Sequence, residues 1–122
     1  MRQFNCERDL NFLSAEQRSK LTEYFRSNRR EIKPTILRGM LGVSESESYQ
    51  IILILTAHRL IRGKYLIYHL QHPDDSYASD RLIEDGLPPL PFYCSICCKN
   101  IDTYDELDFQ ISADITERVT FI

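Results

Sequence analysis

The densest chemistry in the chain is carried by "FYCSICCKN", residues 92–100. Cys94 and Cys97 stand in a C-x-x-C spacing, which lets both thiolates bind one tetrahedral ion such as zinc. A closed tetrahedral site needs four donors, and no second C-x-x-C lies downstream. The candidates that could complete the set are Cys98, Cys6, His69 and His72, or Cys94 and Cys97 of a second chain. The last option would place the ion on a two-fold axis and enforce a dimer. Three of the four cysteines are crowded together, unlike the spread framework of a secreted disulfide protein. Two other chemistries compete. A redox C-x-x-C needs a helix N-terminus to lower the pKa of the attacking thiol, and none is visible around Cys94. Buried, unreactive cysteine is also a common core residue.

Other catalytic constellations are missing from the sequence. The three histidines, His58, His69 and His72, have no nucleophile beside them in sequence, and the four glycines form no phosphate-binding loop. The acidic pairs Asp74-Asp75 and Glu84-Asp85 fall in turn-like segments and read as solvated charge. The expectation is a protein that is not an enzyme.

The elements that must position these residues are legible in patches. Ser14-Ala-Glu-Gln17 is a capping box, so a helix should run from there to about Asn28 with Leu21, Tyr24 and Phe25 on one face. Glu31-Ile32-Lys33 should be extended, as residues before a proline are. Pro34 suits the first turn of a short helix over Thr35–Leu41, which Gly42 should end. Ser44 and Glu47 form a second capping box for a helix reaching about Arg59. "KYLIYHL", Lys64–Leu70, is rich in β-formers and reads as a strand. His72-Pro-Asp-Asp-Ser is a turn cluster, and Ser79–Asp85 a possible short helix. Gly86-Leu-Pro-Pro-Leu-Pro91 reads as a stiff linker. Beyond it, Phe92–Ser95, Leu107–Ile111 and Arg118–Ile122 are strand candidates, and Asp102–Glu106 a turn or a single helical turn.

This order, with its "LGVSESESYQIILILTAHRLI" at residues 41–61, resembles the winged helix-turn-helix superfamily and its "LGVS…Y.I…L….LI" core pattern. The Cys94–Cys97 stretch, at a strand-to-turn junction, resembles one knuckle of a zinc ribbon. The expected fold class is therefore α+β: a winged helix-turn-helix with a small C-terminal β element. The expected division is an N-terminal extension (1–13), the winged helix-turn-helix domain (14–72), a linker (73–91) and a Cys-containing β-ribbon element (92–122). By the resemblance, Thr35–Leu41 is the positioning helix, Glu45–Arg59 the recognition helix and Lys64–Leu70 the first wing strand.

The family includes both DNA readers and protein-docking modules, so the surface decides. Members that read DNA expose small polar and basic residues from the recognition helix. Here Glu45 and Glu47 would approach phosphates, and Arg38 stands where many members place alanine. The run Ile51–Leu55 spans more than one helical turn, so no single core face can hold all five side chains. The expected function is a non-catalytic adaptor or regulatory subunit that binds protein, a second copy or a larger subunit, through Tyr49, Leu53 and Ile54. The alternative is a regulator of double-stranded DNA, with Ser46, Tyr49 and Gln50 reaching bases and Arg59, Arg62 and Lys64 holding phosphates.

Charge fits either partner. The net charge of −3 conceals ten basic and four acidic residues over 17–66, a net +6, and three basic against eleven acidic residues over 72–122, a net −8. A basic half suits a polyanion or an acidic protein surface. Met1-Arg-Gln-Phe-Asn-Cys6 lacks the apolar stretch of a signal peptide, and Ile51–Leu55 is too short to span a bilayer. A cytoplasmic protein that does not engage membranes is expected.

Overall fold

The computed structural model describes residues 2–27, 30–70 and 77–122. In chain order the elements are β1 (Arg2–Phe4), α1 (Ala15–Arg26), β2 (Glu31–Ile32), α2 (Pro34–Leu41), α3 (Glu45–Ala57) and β3 (Ile61–His69). Then follow β4 (Ser79–Leu82), β5 (Phe92–Cys94), β6 (Lys99–Ile101), β7 (Leu107–Ile115) and β8 (Val119–Phe121), with single 3₁₀ turns at Ile83–Asp85 and Tyr104–Glu106. The chain is thus a mixed α+β protein whose sheets are mainly antiparallel.

The helix boundaries follow local chemistry. At the start of α1 the Ser14 hydroxyl accepts from the Gln17 amide at 3.1 Å, and the Gln17 side chain accepts from the Ser14 amide at 2.8 Å. The same reciprocal pair closes the start of α3, at 3.1 Å between Glu47 N and Ser44 Oγ and 2.9 Å between Ser44 N and Glu47 Oε1. Each box satisfies two of the amides that a helix N-terminus leaves without intrahelical partners. α2 starts at Pro34 and ends where Gly42 takes φ 71°, a left-handed conformation that costs glycine little. α3 ends sooner than expected, at Ala57. His58 is its C-cap, and Arg59 turns the chain away at φ 60°.

Two compact units are formed, Met1–Arg62 with Ser112–Ile122, and Gly63–Ile111. In the first, α1 packs on β8 and α2 packs on both α1 and α3. Phe25 of α1 meets Phe121 of β8 edge to face, with ring centroids 5.0 Å apart. The N-terminal residues belong to this unit: β1 pairs in parallel with β8, and Phe4, Leu10 and Leu13 are buried. β2 pairs with the end of β7, Ile32 opposite Ala113.

The second unit has its own core of Ile67, Phe92, Cys94, Ile101 and Leu107. β4 pairs antiparallel with β3, Lys64 opposite Leu82 through Ile67 opposite Ser79, and β5 pairs with β6 as a hairpin. β2, β7, β3 and β4 are neighbours in that order in one four-stranded sheet.

Several expectations change. Ser79–Leu82 is strand, with only Ile83–Asp85 forming a 3₁₀ turn, instead of the short helix anticipated over Ser79–Asp85. Seven residues are too few to stabilise a helix alone, and pairing with β3 gives the backbone its hydrogen bonds. β3 begins at Ile61, three residues ahead of the expected strand, and ends at His69. β7 runs to Ile115, beyond the expected Ile111, because its end is held by β2. Residues 77–91 are not a bare spacer: they include β4, and the Tyr104 hydroxyl donates to the Pro88 carbonyl at 2.6 Å. The compact units divide at Arg62 and Ile111.

Candidate functional site

β5 delivers Cys94 to the mouth of a tight turn. Cys94 is the last residue of the strand, and Ser95 to Cys98 reverse the chain into β6, where Lys99 faces Cys94. The Cys98 amide donates to the Cys94 carbonyl at 2.8 Å, and Cys98 itself takes φ 59°. A non-glycine residue in the left-handed region is uncommon, and here it lets the turn close. The amide of Lys99 is thereby aimed at the sulfur of Cys97. A backbone amide pointing at a cysteine sulfur is an arrangement suited to a thiolate, which accepts hydrogen bonds.

β3 supplies the third donor. Ile67 sits in the core of this unit, and His69, two residues on, lies on the same face because strand side chains alternate. The imidazole Nδ1 of His69 is 3.4 Å from the sulfur of Cys97. His69, Cys94 and Cys97 each offer one ligand atom, all within 4.8 Å of one another. His69 and Cys94 are buried and Cys97 is half-buried. For zinc with bonds of about 2.3 Å to sulfur and about 2.0 Å to nitrogen, tetrahedral angles place the two donors about 3.5 Å apart. The observed sulfur–nitrogen distance fits without rearrangement.

The other candidate ligands are not in this group. The sulfur of Cys98 lies 3.9 Å from the Ser95 carbonyl and also meets the Tyr93 hydroxyl, while its side chain stays exposed. Cys6 is fully buried and absent from the ligand cluster. His72 and the acidic pair Asp74-Asp75 lie outside the described residues. All four cysteines are thiols.

The electrostatics of Cys97 do not suit a reactive thiol. Removal from water pushes the Cys97 thiol above its ordinary pKa, and its hydrogen bond with Cys94 adds to the rise, while the Lys99 amide pulls the other way. A raised pKa is the reverse of what a redox or nucleophilic cysteine requires. The Tyr93 hydroxyl is likewise pushed up, first by its hydrogen bond with Cys98 and then by the charge that thiol would carry.

The second region is the outer face of α3. Ile51, Ile52 and Leu55 are fully buried, and Ser48 is buried with its hydroxyl donating to the Glu45 carbonyl at 2.6 Å. Leu53 remains 44% exposed, and Ile54 and Tyr49 are half-buried. Tyr49 with Leu53, and Gln50 with Ile54, are i,i+4 pairs, so the four side chains share one side of the helix. Ser46 and Gln50 are exposed. Glu47 is engaged in its capping box, and the Tyr49 hydroxyl lies 3.5 Å from the Glu45 carboxylate. α3 contains no lysine or arginine. Arg59 and Arg62 are exposed beyond its end, and Lys64 is half-buried in β3. Arg38 points out from α2 and is exposed.

Of the remaining histidines, His58 is exposed, with Nε2 3.0 Å from the Asp9 carboxylate and its ring edge-on to Phe4. Among the described residues, no helix is long and apolar enough to cross a membrane.

His69, the third member of the cluster, could be found in the sequence only as one of several candidate donors. The signal that favours it is its register: His69 follows Ile67 by one strand period, on the face that the core claims. No protein-family model, curated protein or solved structure matches the chain.

Proposed function

We propose that the chain is a non-catalytic winged-helix adaptor, in which a zinc ion staples the strand β3 to the β5–β6 hairpin and the outer face of α3 docks on another protein. The observation that carries the docking is the placement of Leu53. It stays 44% exposed in the middle of a helix whose Ile51 and Ile52 are fully buried, and half-buried Ile54 and Tyr49 flank it. Covering such a face contributes about 25 cal/mol per Å² of apolar surface removed from water. A DNA groove offers that face little, because phosphates favour cations and α3 has two glutamates and no basic residue.

The donor set supports zinc. Two thiolates and one imidazole are ligands that zinc takes in structural sites, whereas magnesium and calcium prefer oxygen. Such a small unit gains from a metal that ties strands distant in sequence. The order of helices and strands through α3, with β2 and β3 in one sheet, is compatible with the winged-helix arrangement. β7 stands between those two strands.

The test is photo-crosslinking from position 53 in cells of the source organism. A discrete protein adduct, obtained also from a crosslinker at position 49 and lost there in the Leu53→Asp, Ile54→Asp variant, supports docking. A nuclease-sensitive adduct, or binding of duplex DNA that falls steeply with salt and weakens in Arg59→Ala, Arg62→Ala, Lys64→Ala, overturns it.

A further inference from the structure

Helix α3 has two faces. Ser48, Ile51, Ile52 and Leu55 are buried on one. On the opposite side Ser46, Gln50, Leu53 and Ala57 are all exposed. Their spacing of four, three and four residues keeps them in one line along the helix, as in the seam of a coiled coil. We infer that the partner this face takes is a second copy of the chain, with the two α3 helices antiparallel about a two-fold axis at the level between Gln50 and Leu53. This rests on the docking reading above and names its partner.

Three observations lead there. First, the exposed line holds no charged side chain, although 27% of the chain is charged. A helix side that faces water ordinarily carries charge, whereas the centre of an interface is depleted of it. Second, the line is complementary to its own reverse. About that axis Leu53 lies level with Gln50 of the second copy, and Ser46 with Ala57 of the second copy. Small residues at both ends let the two helices approach closely. Half-buried Tyr49 and Ile54 border the line on either side and close the edges of the seam. The two Gln50 amides lie near the axis, and each both donates and accepts, which favours one register. Third, charge is polarised along the helix. Glu45 is exposed at its N-terminal end, and Arg59 and Arg62 are exposed just beyond its C-terminal end. A parallel pair would set like charges together. The antiparallel pair sets the Glu45 end of each copy beside the Arg59 end of the other, so the attraction occurs twice.

A two-fold contact is closed, so association stops at the dimer. With 13 residues, α3 is about 20 Å long. That is a short seam, and the dimer is reversible, its share rising with concentration.

Sedimentation velocity of the purified full chain tests this over a concentration series reaching about 1 mM. The protein is kept reduced, so that exposed Cys98 forms no disulfide. A reversible dimer is expected, and Leu53→Asp should shift it to monomer. Ala57→Arg, a change at an exposed helix position, should do the same without touching the core. Glu45→Arg and Arg59→Glu should each weaken the dimer about tenfold, because each sets like charges together at both ends. An equimolar mixture of those two variants should recover the original association as a heterodimer, since both end contacts are then attractive. A dimer that survives both Leu53→Asp and Ala57→Arg, or that neither charge swap weakens, overturns the inference. So does a chain that stays monomeric throughout while position 53 crosslinks to a different protein, an outcome that leaves the docking reading standing. A monomeric chain with no protein adduct from position 53 overturns the docking reading as well.

Discussion

Lowering the pH from about 8 to about 7 should weaken zinc binding about a hundredfold. The magnitude follows from the ligand set. Zinc binds thiolates, and the Cys97 thiol is held protonated above its ordinary pKa, first by burial and then by its hydrogen bond with Cys94. The ion therefore has to displace a proton from each of the two cysteines. With two protons released per ion, the logarithm of the apparent affinity rises by about two for each unit of pH while both thiols are protonated in the metal-free protein. The sign is fixed: protons compete with the metal, so affinity falls as pH falls. Competition against a chromophoric chelator of known pH dependence measures the slope. A slope near zero would refute the reasoning outright, and a tenfold change per unit would mean that only one of the two cysteines gives up a proton to the ion.

Other consequences can be measured separately. Replacing exposed Leu53 and half-buried Ile54 by aspartate should cost about 1–3 kcal/mol of stability, leaving the chain folded, while abolishing association; a collapse of stability beyond that would place those side chains in the core. Ser44→Ala removes one of the two hydrogen bonds of the α3 capping box and should cost about 1 kcal/mol, seen as a fall of roughly 3–5 °C in melting temperature. Burial pushes the Cys6 thiol up in pKa, with Arg18 partly opposing, so iodoacetamide should label exposed Cys98 well before Cys6 in the native protein. Because the unfolded thiol ionises at about 8.5 while the folded one stays protonated, Cys6 contributes stability that is lost as pH rises through that range, and a Cys6→Ala variant should show a flatter stability profile there in urea unfolding.

Local chemistry was readable in the residues and long-range pairing was not. The two capping boxes, Pro34 at the head of α2 and Gly42 at its end are contacts within a few residues, and each formed as expected. Ser79–Leu82 carries no such local instruction. Its strand state comes from β3, more than ten residues earlier in the chain, and a charged "SDRL" shows neither alternation nor an apolar run. β6 is a three-residue "KNI" that exists only as the return arm of the cysteine hairpin. The ligand set divides in the same way. Cys94 and Cys97 announce themselves by spacing. His69 is separated from Cys94 by a stretch whose path the spacing cannot give, so it stood level with Cys6, Cys98 and His72 until the strands were paired.

The bland reading of Cys94, a core thiol, also has a basis in the structure. Cys94 is fully buried and packs with Ile67, Phe92, Ile101 and Leu107. Core packing and metal ligation are compatible, since a metal ligand in a small unit is usually also part of its core. What separates the two is His69. An imidazole nitrogen brought to 3.4 Å from a second cysteine, within a group of three donors of which two are buried, is arranged as a ligand set would be.

Native mass spectrometry of the chain purified without added chelator tests this most directly. The account predicts a mass exceeding that of the polypeptide by one zinc ion less two protons per chain, with Cys94 and Cys97 resistant to alkylation until the metal is removed. A metal-free chain whose Cys97 alkylates as readily as Cys98 in the folded state would contradict it.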